Sequence, residues 1–195
     1  ASIKLSEEKI VFLDISIDHG DRVAREGKAE EKLKLKYYIQ LNQFLLKLSN
    51  IFNKKVTICL HPTTDMDVYK KYLGEFELCK FQTTENIRQA FIVVFHCSTA
   101  IYEAIFLKKK IISLKSNTLG EYITNLTIPY QKLFGLFSYS LDEKKELNKN
   151  LLQDELEKIT ENYDHYIKGE MMNENSTLGE DKVIDTVQKE YFTNK

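Results

Sequence analysis

Short apolar runs that alternate with helix-patterned segments constrain this chain more than any other feature. The clearest run, Phe91-Ile-Val-Val-Phe95, is apolar at every position. That pattern is expected of a strand covered on both faces of a sheet. Similar runs occupy 9–14, 55–60, 77–81 and 110–114, and an extended piece lies near 137–140. Between them, 37–52 places Tyr38, Leu41, Leu45, Leu48 and Phe52 at three-to-four spacing, the signature of an amphipathic helix. Further helices are predicted over 67–73 (closed by Gly74), from Thr83 and Thr84 to Ala90, over 99–107 opened by Ser98, and within 117–135. The charged stretch 18–36 reads as a long loop grading into a helix. The acidic stretches 142–168 and 180–192 read as helices, with 169–179 a loop between them. Strands alternating with helices predict a doubly wound, Rossmann-like parallel sheet of five to six strands. The C-terminal helices, 141–195, are expected to pack on that same domain, 1–140.

Composition narrows the function classes. The chain has 195 residues, 43% hydrophobic and 29% charged, which is enough for one packed core and argues against disorder. Net charge is −1, so nothing draws the whole chain toward nucleic acid. The acidic excess sits in 142–195, leaving the first part mildly basic. Cys59, Cys79 and Cys97 lie in or beside apolar runs without CxxC spacing. They predict a reducing compartment, no disulfide framework and no zinc site. No apolar run approaches the roughly 20 residues of a membrane span. A cytoplasmic location is therefore expected. The chain begins without Met, which reads as a cut from a longer protein or a processed start.

Ligands of open parallel sheets bind outside the carboxyl ends of the strands. In this sequence those ends read Asp14 with Asp18-His19-Gly20, His61-Pro62-Thr63-Thr64, Gln82-Thr83-Thr84, His96-Cys97-Ser98-Thr99 and Lys115-Ser116-Asn117. Three of the four histidines fall there. Ser98 and Thr99 open a helix directly from a strand, and helix N-termini favour anions. His61 offers a ring donor, aimed by the stiff Pro62. The candidate phosphate- and nucleotide-binding residues are thus His61, Pro62, Thr63, His96, Ser98, Thr99 and, one turn into the helix, Glu103. Asp14, Asp18 and His19 are the candidates for acid–base or nucleophilic work. No glycine-rich phosphate loop is present. Asp65-Met66-Asp67 has the form of a metal-binding DxD but reads as a helix cap, so no metal is expected. Tyr37, Tyr38, Tyr122 and Tyr130 read as core.

These residues carry a family resemblance. His61-Pro62 after one strand, then His96-Cys-Ser98-Thr99-Ala100 opening a helix with Glu103, then Lys109-Lys-Ile-Ile-Ser-Leu114, resemble the C-terminal domain of GT-B-fold glycosyltransferases of bacterial capsule and lipopolysaccharide. The nearest groups are the sialyltransferase and Kdo-transferase-like enzymes, with their HP and Ser-Ser/Thr motifs. The resemblance covers roughly residues 9–140. It implies half of a GT-B fold, a nucleotide-activated sugar, CMP-linked, as donor substrate, and a glycan or glycolipid acceptor. It also implies no cofactor, an acceptor-binding N-terminal domain that this chain lacks, and a place at the inner face of the cytoplasmic membrane. Epimerase-like relatives and teichoic-acid polymerases share similar strand–Ser helices. A CDP-alcohol phosphotransferase, a UDP-sugar epimerase-like enzyme and a non-catalytic scaffold therefore stay open as alternatives.

Overall fold

The structure is a computed structural model that describes residues 8–143 and 146–167. The elements run β1 (Lys9–Leu13), α1 (Gly20–Glu26), α2 (Glu31–Phe52), β2 (Val56–Cys59), α3 (Met66–Leu73), β3 (Glu77–Cys79), α4 (Thr83–Gln89), β4 (Ala90–Phe95), α5 (Ile101–Phe106), β5 (Lys110–Lys115), α6 (Gly120–Phe134), β6 (Phe137–Ser140) and α7 (Lys149–Tyr166). The six strands form one parallel sheet in the order β3-β2-β1-β4-β5-β6. This is the predicted Rossmann-like α/β fold. The predicted helix 180–192 and loop 169–179 lie outside the described residues.

Strand alternation divides the core in two. Ile10 and Phe12 of β1, Ile58 of β2, Ile92 and Val94 of β4 and Ile112 of β5 face the layer built by α2 and α3. Their neighbours Val11, Leu13, Cys59, Val93, Phe95 and Ile111 face Ile87 of α4, Ile101, Ala104 and Ile105 of α5, and Ile159 and Tyr163 of α7. A side-chain period of two feeding two packed layers explains why the central runs are apolar throughout. In α2, Tyr37, Tyr38, Leu41, Phe44, Leu45 and Leu48 are buried. The helix ends at Asn53, whose left-handed conformation (φ 51°) suits asparagine.

Several boundaries differ from the sequence reading. The stretch 18–36 holds two helices. α1 carries one buried residue, Arg22, so its inward face has no apolar stripe to announce it. α5 begins at Ile101, because residues 98–100 form a turn in which the Ala100 N–H donates to Ser98 Oγ (3.3 Å). Thr83 begins α4 and Gln82 holds the cap position. The acidic helix starts at Lys149, where Asn148 Oδ1 accepts from the N–H groups of Asn150 and Leu151. Asp65 caps α3 through the Asp67 N–H (2.9 Å), the role read for the DxD-like triplet.

His96 needs a correction. It ends β4 but turns inward and is 1% exposed. Nδ1 lies 3.0 Å from the Leu114 carbonyl and Nε2 lies 2.9 Å from Tyr37 Oη. A carbonyl only accepts, so Nδ1 carries the proton and the Tyr37 hydroxyl donates to Nε2. The ring therefore ties α2 to β5 through β4 in a neutral network. Burial pushes its pKa down to about 4, against a smaller upward pull from the Leu114 carbonyl. Tyr37→Phe strips the donor from a buried acceptor. It is expected to lower unfolding free energy in urea by about 1–3 kcal/mol without changing the fold.

Candidate functional site

The chain path reverses at the middle of the sheet. β1 leads to β2 and β3 on one side, and the chain then returns to place β4 on the other side of β1. The connections leaving β1 and β4 therefore diverge to opposite faces, and a crevice opens at their carboxyl ends. A cleft of about 330 Å³ lies there. Asp14, Ile15, His19 and Asp21 reach it from β1 and α1, His61 from the end of β2, and Cys97, Ser98 and Thr99 from the end of β4. Tyr122, Ile123, Leu126 and Tyr130 of α6 form its other wall.

Asp14 is 6% exposed. Its Oδ2 accepts from the Ser16 N–H (3.1 Å), while Oδ1 is buried with no hydrogen-bond partner among the described residues. Burial raises the carboxyl to a pKa of about 7, and the nearby N–H groups of Ser16, His61 and Ile15 only partly oppose that rise. The loop that supplies these groups is held in an uncommon conformation. Ser16 has φ 59°, in the left-handed region that side chains disfavour.

The two histidines of the cleft pack edge to face, with ring centroids 4.9 Å apart. Each has its Nδ1 lone pair engaged by a backbone N–H two residues on: Asp21 N–H to His19 (3.3 Å) and Thr63 N–H to His61 (3.3 Å). Thr63 Oγ1 also lies 2.8 Å from His61 Nδ1. A backbone N–H only donates, so the neutral rings carry their proton on Nε2. Both thus offer an Nε2–H donor. Partial burial, then the fields of His19 and Lys80, lower the His61 pKa and favour its neutral form.

One buried arginine joins the two walls. Arg22 Nε donates to the Leu119 carbonyl (3.0 Å), and Nη1 donates to the carbonyls of Ile17 (3.1 Å) and Gly27 (3.3 Å). Glu26, 3.6 Å from the same guanidinium, accepts from the Tyr122 N–H (2.6 Å) in the first turn of α6. Gly120, at φ 82°, lets the chain pass that carboxylate, where a Cβ would stand 2.0 Å from Glu26 Oε2. The loop after β1 and the start of α6 are therefore fixed to each other.

Of the residues singled out in the sequence, the structure brings Asp14, His19, His61, Ser98 and Thr99 to one cleft. The others stand elsewhere. Asp18 pairs with Lys34 of α2. Pro62 and Thr63 are exposed, Thr63 holding the His61 ring from outside the lining. His96 belongs to the core. Glu103 accepts from Thr84 Oγ1 (2.9 Å) and lies 3.9 Å from Arg88, so it joins α5 to α4. The α6 wall escaped the sequence reading. Tyr122, Leu126 and Tyr130 recur every four residues, but they lie beside the buried stripe of Ile123, Thr127 and Phe134 and merge with it in a helical projection. No cluster of metal-ligating side chains occurs among the described residues. No helix there is long and apolar enough to cross a membrane.

No protein-family model matches the sequence, and no curated protein matches it. Among solved structures, the chain is similar to one titled "Crystal Structure Analysis of the Glycotransferase of kitacinnamycin". The TM-score is 0.39 at 11% identity, over 79% of this chain and 35% of that one. The chain thus spans about a third of that protein's length.

Two tests follow from this geometry. Arg22→Met leaves three carbonyls without this donor and Glu26 without its cation. Urea unfolding is expected to show a loss of about 2–4 kcal/mol, near the lower end for broken buried pairs because Glu26 is partly exposed. The second concerns pH. A carboxyl raised from 3.8 to about 7 stabilises the fold at low pH and loses that contribution as pH rises through the interval. A histidine lowered from 6.5 to about 4 does the reverse, losing its contribution as pH falls. The two slopes oppose each other over nearly the same window. Asp14→Asn removes one of them. The melting temperature of the variant, relative to wild type, is expected to climb from about pH 4.5 to about pH 7 and to level off above. A difference independent of pH would show that Asp14 ionises normally.

Proposed function

We propose that this cleft binds the phosphate and sugar of a nucleotide-activated sugar, and that the chain is the donor-binding half of a glycosyltransferase. The observation that carries the reading is the meeting of His19, His61, Ser98 and Thr99 with Asp14 at the switch point of the sheet. Two imidazole N–H groups and two hydroxyls supply directional donors to phosphate and sugar oxygens. The α6 wall, with Tyr122 and Tyr130, gives a planar or apolar group somewhere to rest. The cleft volume suits a small ligand. The resemblance through His61-Pro62 and Ser98-Thr99 points to the same chemistry. On this reading His61 and Ser98 hold the phosphate, and Thr99 and His19 the adjoining oxygens. Asp14 lies in the same lining beside them, and the acceptor arrives from a second domain.

The lining favours a donor with one phosphate. No lysine or arginine lines the cleft among the described residues, and Asp14 and Asp21 do. A nucleoside diphosphate sugar brings two negative charges, which neutral donors balance poorly. The phosphodiester link of a CMP-activated sugar brings one to the phosphate position. This favours transfer of a CMP-activated sugar over the UDP- and CDP-dependent alternatives, in the synthesis of a surface glycan.

Thermal melting with a panel of nucleotides tests the assignment. CMP or a CMP-sugar is expected to raise the melting temperature by several degrees at about 100 times its Kd. His61→Ala and Ser98→Ala should each remove most of that rise. A larger shift with UDP or CDP compounds would move the donor to the diphosphate class. No shift with any nucleotide would overturn the assignment.

A further inference from the structure

Asp14 combines features that an ordinary turn aspartate lacks. It is buried in the cleft lining, one of its oxygens is tied to its own loop, and the other has no partner among the described residues. A buried carboxylate oxygen without a donor is costly, whereas a carboxylic acid there becomes a donor awaiting an acceptor. The N–H groups of Ser16, His61 and Ile15 oppose burial only in part, and the surroundings do not offer a compensating cation. Tyr37 and Tyr38 of α2 and Tyr69 of α3 lie near enough to feel its charge. Burial holds those hydroxyls, and the Cys97 thiol, protonated throughout the physiological range. Of the other titratable groups in the lining, His61 is held toward its neutral form, with the Lys80 charge acting on it, and His19 caps α1 beside Asp21.

We propose that Asp14 meets the ligand as a carboxylic acid: Oδ2 stays on the Ser16 N–H, while Oδ1 keeps a proton and donates it as a hydrogen bond to an oxygen of a singly charged phosphodiester. The inference rests on the cleft being a phosphoester site, but not on which sugar or acceptor is used. It makes Asp14 a hydrogen-bond donor to the ligand rather than a general base. It also accounts for a phosphate site built without lysine or arginine. A third hydrogen-bond donor joins the two imidazole N–H groups of the lining.

Asparagine is the built-in mimic of this state. The Ser16 N–H selects the amide oxygen at the Oδ2 position, which leaves the amide NH2 where the proton is proposed. The probe is the methyl ester of CMP, whose single phosphate charge does not titrate near neutrality. Its Kd is measured by calorimetry from about pH 6 to pH 9 for wild type, Asp14→Asn and Asp14→Ala. Wild-type Kd is expected to rise toward tenfold per pH unit above neutrality, as one required proton is lost. Asp14→Asn keeps His19 and His61, so it should lose this steep dependence and bind more tightly than wild type at the alkaline end. Asp14→Ala should bind at least about tenfold more weakly than Asp14→Asn throughout, the scale of one lost hydrogen bond. An infrared difference spectrum of the wild type near pH 6.5 gives an independent reading, since a protonated carboxyl band should shift when the ester binds. Binding that needs His61 but is flat with pH, or an asparagine variant as weak as the alanine one, overturns the role of Asp14 and leaves the cleft assignment standing. No binding by wild type at any pH removes both.

Discussion

The pairing of β1 with β4 is the constraint on which the rest of this molecule depends. These strands are far apart in sequence yet adjacent at the centre of the sheet, in register from Ile10 with Ile92 to Leu13 with Phe95. Because the chain leaves them in opposite directions, no crossover covers the space above their carboxyl ends. Asp14 and Ile15 after β1, and Cys97, Ser98 and Thr99 after β4, line that gap. Asp14 and Ser98 need no local motif to meet. The strand order brings them together, which is how the cleft arises without a glycine-rich loop.

The same geometry separates stability from use at Asp14. The surrounding tyrosines and strand ends that build the core also exclude water from the carboxyl and raise its pKa to about 7. A solvated aspartate at this position would cost less, but it would lie outside the range in which a proton can be kept or given near neutrality. The left-handed Ser16 beside it belongs to the same compromise, since strained backbone persists where surrounding contacts over-determine it. Here those contacts are known. Arg22 joins the Ile17 carbonyl of that loop to the Leu119 carbonyl at the start of α6.

The fold was legible because hydrophobic period reports directly on burial, and the strands of this chain are short, apolar and well separated. The site was legible in part. Strand-end position brought Asp14, His61, Ser98 and Thr99 to one cleft, since topology alone carries those residues to the switch point. It failed for His96 because one residue of chain reverses a side chain across the sheet. His96 follows Phe95 on the strand and turns toward Tyr37 and Leu114, whereas Cys97 and Ser98 reach the cleft. Glu103 failed for a similar reason, as α5 begins later than the Ser98 cap suggested and presents that carboxylate to α4. Arg22 was invisible for a different one. It is a charged residue in a charged segment, and only its partners from 97 residues away show that it is structural.

His19, His61 and His96 show why residue type alone does not define a site. All three lie beyond strand ends, yet their hydrogen bonds engage opposite ring nitrogens. His96 points its Nδ1–H at a carbonyl of the adjacent strand and receives a tyrosine hydroxyl on Nε2, so both nitrogens are consumed inside the core. In His19 and His61, Nδ1 is occupied by N–H groups of their own turns, and Nε2–H is the donor left over. A turn that caps one nitrogen therefore exports the other, whereas a ring held between two elements exports neither. The difference lies in the two residues that follow each histidine: Gly20-Asp21 and Pro62-Thr63 fold back onto the ring, while Cys97-Ser98 leads onward toward α5. The turn chemistry after a strand, more than the residue that ends it, decides which imidazoles reach the cleft.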